Sequence, residues 1–193
     1  SASPSTKAAG TSNSTSATIT AGMNRRAFLQ SVAVAATLPR AFAQSAPTAT
    51  KLTDSLTLIT GAGNNILSLS GDGDLLVDCG DAVHSAEVLR LTGKVATVIN
   101  THSHADHVGG NPELPTGIEV VTHEIAKEQM TRMPAFAGGR GLPTRTVRDR
   151  LTLGNGADRV ELYFFGPGQT GGDIWAVFPA GGTVTAGDVF GLK

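Results

Sequence analysis

Three of the chain's five histidines fall within six residues, in Thr101-His102-Ser103-His104-Ala105-Asp106-His107. His102, His104, Asp106 and His107 offer imidazole nitrogens and a carboxylate oxygen at a density that suits a zinc ion, and a catalytic zinc keeps one position open for water. Such an ion lowers the pKa of its water from about 15.7 to about 7, which makes hydroxide available at neutral pH to attack a carbonyl or similar electrophile. Asp106 can serve there as a ligand or as a base toward that water. A polar loop with unrelated histidines would need four ligand-type residues to gather by chance ahead of a glycine pair, so metal chemistry is the stronger reading.

The loop has to be aimed by what flanks it. Residues 95–99 (Val-Ala-Thr-Val-Ile) are apolar and β-branched, the pattern of a buried strand. Val108-Gly109-Gly110-Asn111 follows the loop, and its glycines suggest a tight turn. Strands are expected over 56–59 and 66–69, joined by the hairpin signal Gly61-Ala62-Gly63-Asn64-Asn65, and over 75–77. Residues 82–91 form a predicted helix with Ala82, Val83, Ala86 and Leu89 on one side. A short strand at 119–121, a helix at 124–133 closed by Pro134, and strands at 160–165, 174–178 and 183–185 complete an α/β layer arrangement. Residues 133–143 read as a mobile loop of the kind that frames substrate pockets; Arg140 and Arg145 could meet an anion there but are more simply read as solvated. His84 reads as solvated, and His123, at a strand end, either caps or faces the site or, more simply, lies at the surface. Cys79 is the single cysteine, which excludes an internal disulfide and fits a buried structural thiol.

Together these stretches resemble the metallo-β-lactamase-fold hydrolase superfamily over residues 52–193. His102, His104, Asp106 and His107 match its first metal motif. Leu75-Leu76-Val77-Asp78-Cys79-Gly80 is similar to the strand that precedes that motif, and Thr185-Ala186-Gly187-Asp188-Val189-Phe190 to a later Gly-Asp segment. The resemblance implies a metallo-β-lactamase-like αββα sandwich, of which this sequence would carry only the N-terminal portion. It implies one or two zinc ions, with His102, His104 and Gln169 at one, and with Asp106, His107 and Asp188 holding a second or orienting the water. Gln169 stands in Gly166-Pro167-Gly168-Gln169-Thr170, where the family places a histidine, and an amide oxygen is a weaker donor than imidazole. Asp78 can be read as accepting a hydrogen bond from the metal loop or as a turn aspartate at a strand end. The activity implied is zinc-dependent hydrolysis of an ester, an amide (a β-lactam among them) or a related bond in a small-molecule substrate. The alternative is a degenerate or truncated relative that binds metal weakly, favoured by Gln169 and by the lack of a later histidine. Superfamily substrates range over β-lactams, thioesters, lactones and phosphoesters, and a fold does not choose among them.

The front of the sequence concerns destination. Met23-Asn24-Arg25-Arg26-Ala27-Phe28-Leu29-Gln30, the short apolar stretch 32–38 and Ala41-Phe42-Ala43 follow the order of a signal peptide over 23–43 and resemble the twin-arginine type. Residues 1–22 then read as disordered or as a spurious upstream extension, 44–51 as a linker and 52–193 as a C-terminally incomplete domain. Export by the twin-arginine machinery to a bacterial periplasm or beyond is expected. The apolar stretch is too short for a lasting membrane span, which needs about 20 residues. A net charge of −1, with 15 Lys and Arg against 16 Asp and Glu, gives no basic field for nucleic acid.

Overall fold

The computed structural model describes residues 46–71 and 74–190. Strands β1 (Thr48–Lys51), β2 (Leu56–Thr60), β3 (Ile66–Leu69) and β4 (Leu75–Val77) pair antiparallel in sequence order. From β4 onward the sheet becomes parallel. Helix α1 (Ser85–Thr92) leads to β5 (Thr97–Ile99), the histidine loop with short helix α2 (Ala105–Val108) leads to β6 (Glu119–His123), and α3 (Glu124–Thr131) leads to β7 (Arg145–Val147). The chain then passes through Arg148 and Asp149 into a second, antiparallel sheet of β8 (Arg150–Leu153), β9 (Val160–Phe164), β10 (Ile174–Phe178) and β11 (Thr183–Thr185). The α/β class expected from the sequence holds.

The residue patterns explain the layers. All three residues of β4 are buried, as befits a strand covered on both faces. In β10, Ile174, Ala176 and Phe178 are buried while Trp175 and Val177 are only half-buried, so one face points inward. Leu67, Val77, Ile99 and Val121 of the first sheet meet Leu162, Ile174 and Phe178 of the second in one core. The opposite face of the first sheet, with Ile66, Leu76, Val98 and Val120, packs on Val88 of α1. Each such buried side chain contributes about 1.5–3 kcal/mol relative to an exposed one. On the outer face of the second sheet Phe165 and Val184 are exposed, and the Trp175 ring meets those of Phe165 and Phe190 edge-on. Among the described residues the layers are therefore helix, sheet and sheet, and no helix is long and apolar enough to cross a membrane.

Several local expectations need correction. Residues 48–51 lie in the stretch read as a linker but pair with β2, backbone to backbone, with no burial to mark them. Strands β7 and β8 lie in a segment to which the sequence assigned no element: both are edge strands whose arginines stay exposed. Helix α1 starts later than expected because Asp81 Oδ1 accepts from the Val83 and His84 amides, which keeps 82–84 in a turn. Its packed side carries Ser85 and Val88, with Leu89 and Leu91 against the core, whereas Val83 is exposed. Within 133–143 the chain forms a 3-10 turn at Pro134–Phe136, and Phe136 is buried against Val108 and Met130. Arg140 donates to the Leu114 carbonyl and Arg145 pairs with Glu119.

His84 and His123 are both engaged. His84 lies 2.9 Å from Asp81. His123 is buried: its Nδ1 accepts from the Ile125 amide at the start of α3, its Nε2 donates to the Arg148 carbonyl, and its ring stacks on Phe164. The residues of the signal-peptide and upstream expectations, 1–43, lie outside the described residues.

Candidate metal centre

The C-terminal ends of the parallel strands gather the polar residues. Asp78 follows β4 and its amide donates to the Ile99 carbonyl; Asn100 follows β5 and donates to Val121. The base of the histidine loop is closed by a buried amide pair. Asn111 Nδ2 donates to Asn100 Oδ1 at 2.7 Å and Asn100 Nδ2 to Asn111 Oδ1 at 3.2 Å, so the residues before and after the loop are clasped together. Gly109 and Gly110 form the expected turn, between α2 and a 3-10 turn at Asn111–Glu113, with ordinary helical backbone angles. They also allow close approach: a Cβ at Gly110 would lie 2.7 Å from the Cys79 carbonyl oxygen. The second sheet joins at the same end, where the Ile174 amide donates to the Thr101 carbonyl.

Three of the expected residues come together around one point. The metal-capable atoms of His102, His107 and Asp188 all lie within 4.8 Å of one another. Asp188 directs Oδ1 to His107 Nε2 at 3.1 Å and Oδ2 toward His102 Nε2 at 3.7 Å. Asp188 reaches this position from Gly187, whose φ of +55° is the left-handed region and whose missing Cβ would otherwise lie 2.6 Å from Thr101 Oγ1. His102 Nε2 is buried and has no hydrogen-bond partner, an arrangement that costs free energy unless a further group meets it. An orphaned imidazole nitrogen facing a carboxylate fits a divalent cation. His104 lies beside this trio, its ring centroid 4.7 Å from that of His102, and Asp106 Oδ2 is 3.7 Å from His107 Nε2.

Asp78 holds the loop from beneath. It is buried at a φ of +64°, and its carboxylate accepts from the Thr101 amide, from Thr101 Oγ1 and from His107 Nδ1, each at 2.8 Å. With Nδ1 donating, the lone pair of His107 Nε2 is turned toward Asp188. Burial pushes the His107 pKa down, but the Asp78 bond and charge, helped by Asp188 and Asp106, raise it to about 8. His102 moves the other way, lowered by burial and by the neighbouring His107. Burial and the Asp78 charge push the Cys79 thiol well up, which keeps it neutral and agrees with the structural role expected of it.

The turn between β9 and β10 supplies the remaining wall, and its organiser is Asp173, a residue that sequence reasoning did not single out. Its buried carboxylate accepts from the Gly168, Thr170 and Gly171 amides. Burial acts to raise its pKa, yet these three bonds bring it below the ordinary carboxylate range. Asp173→Ala leaves three amides without their acceptor and is expected to cost about 1–3 kcal/mol, read by denaturant unfolding. Gln169 sits exposed on this turn. Beside that group a cavity of about 430 Å³ is lined by Gly61, Asn64, Asn65, Asp106, His107 and Asp188, and neither Arg140 nor Arg145 borders it. Asn64, also unforeseen, brings its side-chain amide within 2.7 Å of His107 Nδ1 from the β2–β3 hairpin.

Comparison with known proteins agrees with this architecture. Residues 59–192 match the family model described as the metallo-beta-lactamase superfamily. Hydroxyacylglutathione hydrolase from Synechocystis sp. is 34% identical over 121 residues, covering 60% of this chain and 42% of that protein. The protein of the same name from Gloeobacter violaceus is 32% identical over 114 residues, covering 58% and 42%. The chain thus spans less than half the length of these curated relatives. Among solved structures, a metallo-beta-lactamase from Pontibacter korlensis superposes with a TM-score of 0.55 at 26% identity, covering 69% of this chain and 67% of that one. A motif mutant of the Cronobacter sakazakii metallo-beta-lactamase gives 0.57 at 22%, covering 71% and 62%, a likeness of fold alone. With the family model spanning well over half its residues and the two-sheet fold in place, the chain belongs to the metallo-beta-lactamase superfamily.

Proposed function

We propose that this chain carries the metal centre of a zinc-dependent hydrolase, with an acyl thioester as the first substrate to test and a β-lactam or simple ester as the second. The observation that carries this reading is the buried, unpartnered His102 Nε2 facing Asp188, whose other oxygen meets His107. The thioester preference rests on the relatives named hydroxyacylglutathione hydrolase. In this reading His102, His104 and Gln169 hold one zinc position, and Asp106, His107 and Asp188 hold a second or orient the water. Zinc, when bound, supplies Lewis-acid polarisation and an activated water. The protein's own part is to fix the donors. Asp78 keeps the proton on His107 Nδ1, Gly187 carries Asp188 over His102, and Asp106 at the cavity edge is placed to act as a base. The test is metal content by mass spectrometry together with thioester hydrolysis before and after chelation. A chain that takes up no zinc, or that hydrolyses equally well without it, overturns the reading.

A second reading, a degenerate relative with weak metal binding, is favoured by the exposed Gln169. Gln169→His is expected to tighten zinc by about tenfold or more in chelator competition, because imidazole is the stronger donor. Unchanged affinity removes position 169 from the ligand set.

Export remains part of the proposal. A reporter fused to residues 23–50 should reach the periplasm through the twin-arginine pathway, and changing Arg25 and Arg26 to lysine should retain it in the cytoplasm, since the receptor reads the pair and not merely its charge. Unaltered export of the double-lysine form refutes this.

A further inference from the structure

We propose that Gln129 is a positioning residue that ties the histidine loop to the β9–β10 turn carrying Gln169 through the two ends of one amide. Its Oε1 accepts from Ser103 Oγ at 2.6 Å and its Nε2 donates to the Thr170 carbonyl at 2.7 Å. Ser103 lies between His102 and His104; Thr170 adjoins Gln169. Residues far apart in sequence are thus spanned by one side chain of α3. The inference rests on the metal-centre reading for its consequence and on these contacts for its geometry.

The orientation of the amide follows from its partners. The Thr170 carbonyl can only accept, so the nitrogen must face it, and the oxygen is left to receive the Ser103 hydroxyl. Reversing the amide would set oxygen against oxygen at Thr170. Helix α3 is itself well anchored: His123 caps its start, and Met130 is buried with Val108 and Phe136. The turn lies flush on the same helix, since a Cβ at Gly172 would come within 2.6 Å of the Ala126 amide. Asp173 folds this turn internally, and the Asn100–Asn111 clasp closes the base of the histidine loop. Neither of these sets the separation between the two loops. The Ile174 amide on the Thr101 carbonyl joins the two segments at their base, and Gln129 joins them further out, at Ser103 and Thr170, where the His102 and His104 donors are spaced from position 169.

Two variants of the intact chain separate the arms of the tie. Gln129→Glu keeps the shape and the acceptor for Ser103 but opposes a carboxylate oxygen to the Thr170 carbonyl; Gln129→Met removes both bonds. Zinc affinity by chelator competition should fall about tenfold in each, within the range for groups that act through a ligand. In the metal-free chain the melting transition should stay cooperative while the ¹⁵N order parameters of Thr170 and Gly171 fall from about 0.85 to below about 0.6. Ser103→Ala should weaken zinc binding on the wild-type background and add nothing to Gln129→Met, the non-additivity of a shared contact. Zinc affinity within twofold of wild type in Gln129→Glu, or an equally rigid turn, overturns the proposal. Should Gln129→Met fail to fold, Gln129→Glu carries both measurements. Should the wild-type chain bind no zinc, the metal-centre reading falls and the order parameters alone decide this one: a turn loosened by Gln129→Glu sustains the tie, and a rigid one refutes it.

Discussion

Asp188→Asn should weaken zinc binding by about 100-fold or more, beyond the 10–100-fold that follows from disturbing a group behind a ligand, and hydrolysis should fall with it. The carboxylate turns one oxygen to His107 Nε2 at 3.1 Å and the other toward His102 Nε2. An amide of the same shape replaces one oxygen with an N–H donor. That donor would hydrogen-bond an imidazole lone pair and so occupy the electrons a cation needs, and the charge that balances the cation is lost as well. Asp188 is about one-third exposed, so the fold should hardly notice, with a stability change of about 0.5 kcal/mol. Chelator competition and metal content on the folded variant check the result. Retained stoichiometric zinc at wild-type affinity would remove Asp188 from the centre.

Asp78→Asn should have the largest effect on stability. Asparagine tolerates the left-handed backbone at this position, so the change isolates charge and hydrogen bonding from backbone strain. Three buried donors, the Thr101 amide, Thr101 Oγ1 and His107 Nδ1, then share a single carbonyl oxygen and face an amide nitrogen that cannot accept. Breaking a buried pair in this way costs about 3–5 kcal/mol, and zinc affinity should fall about 10–100-fold. The pH dependence of the metal-free chain gives an independent check. His107 titrates near 8 in the folded protein against about 6.5 when unfolded. Its contribution is therefore fully present below about pH 6.5 and lost as pH rises through 8. The stability gap between wild type and variant should narrow over that interval in denaturant unfolding, and a gap that widens would mean that Asp78 does not hold the His107 proton.

The place of the histidine loop in the fold was legible from local sequence. His-x-His-x-Asp-His follows a β-branched run that does become β5, and the apolar run of 174–178 does become β10 with one face in the core. Such signals survive because side-chain period and ligand spacing are properties of neighbouring residues. The strands of the sheet margins did not announce themselves. Residues 48–51 are held by backbone pairing, which leaves no apolar pattern to read, and in 145–153 only Val147, Leu151 and Leu153 turn to the core between exposed arginines, too short a signal to stand out. Burial of His123 was equally invisible, since Arg148 and Phe164, which hold it, are distant in sequence.

Only the tertiary structure decided which donors face one another. From sequence, Asp78 fitted a turn or a support for the loop; three donors converging on its carboxylate make it the support. The sequence named His102, His107 and Asp188 as candidate ligands without showing how close they lie; the fold brings these three to one point because Gly187 can pass against Thr101 where any Cβ would collide. Asp173 and Gln129 carry no motif at all. What they do depends on amides, a hydroxyl and a carbonyl delivered by segments remote in the chain, and hydrogen-bond partners of that kind exist only after the two sheets and α3 have packed.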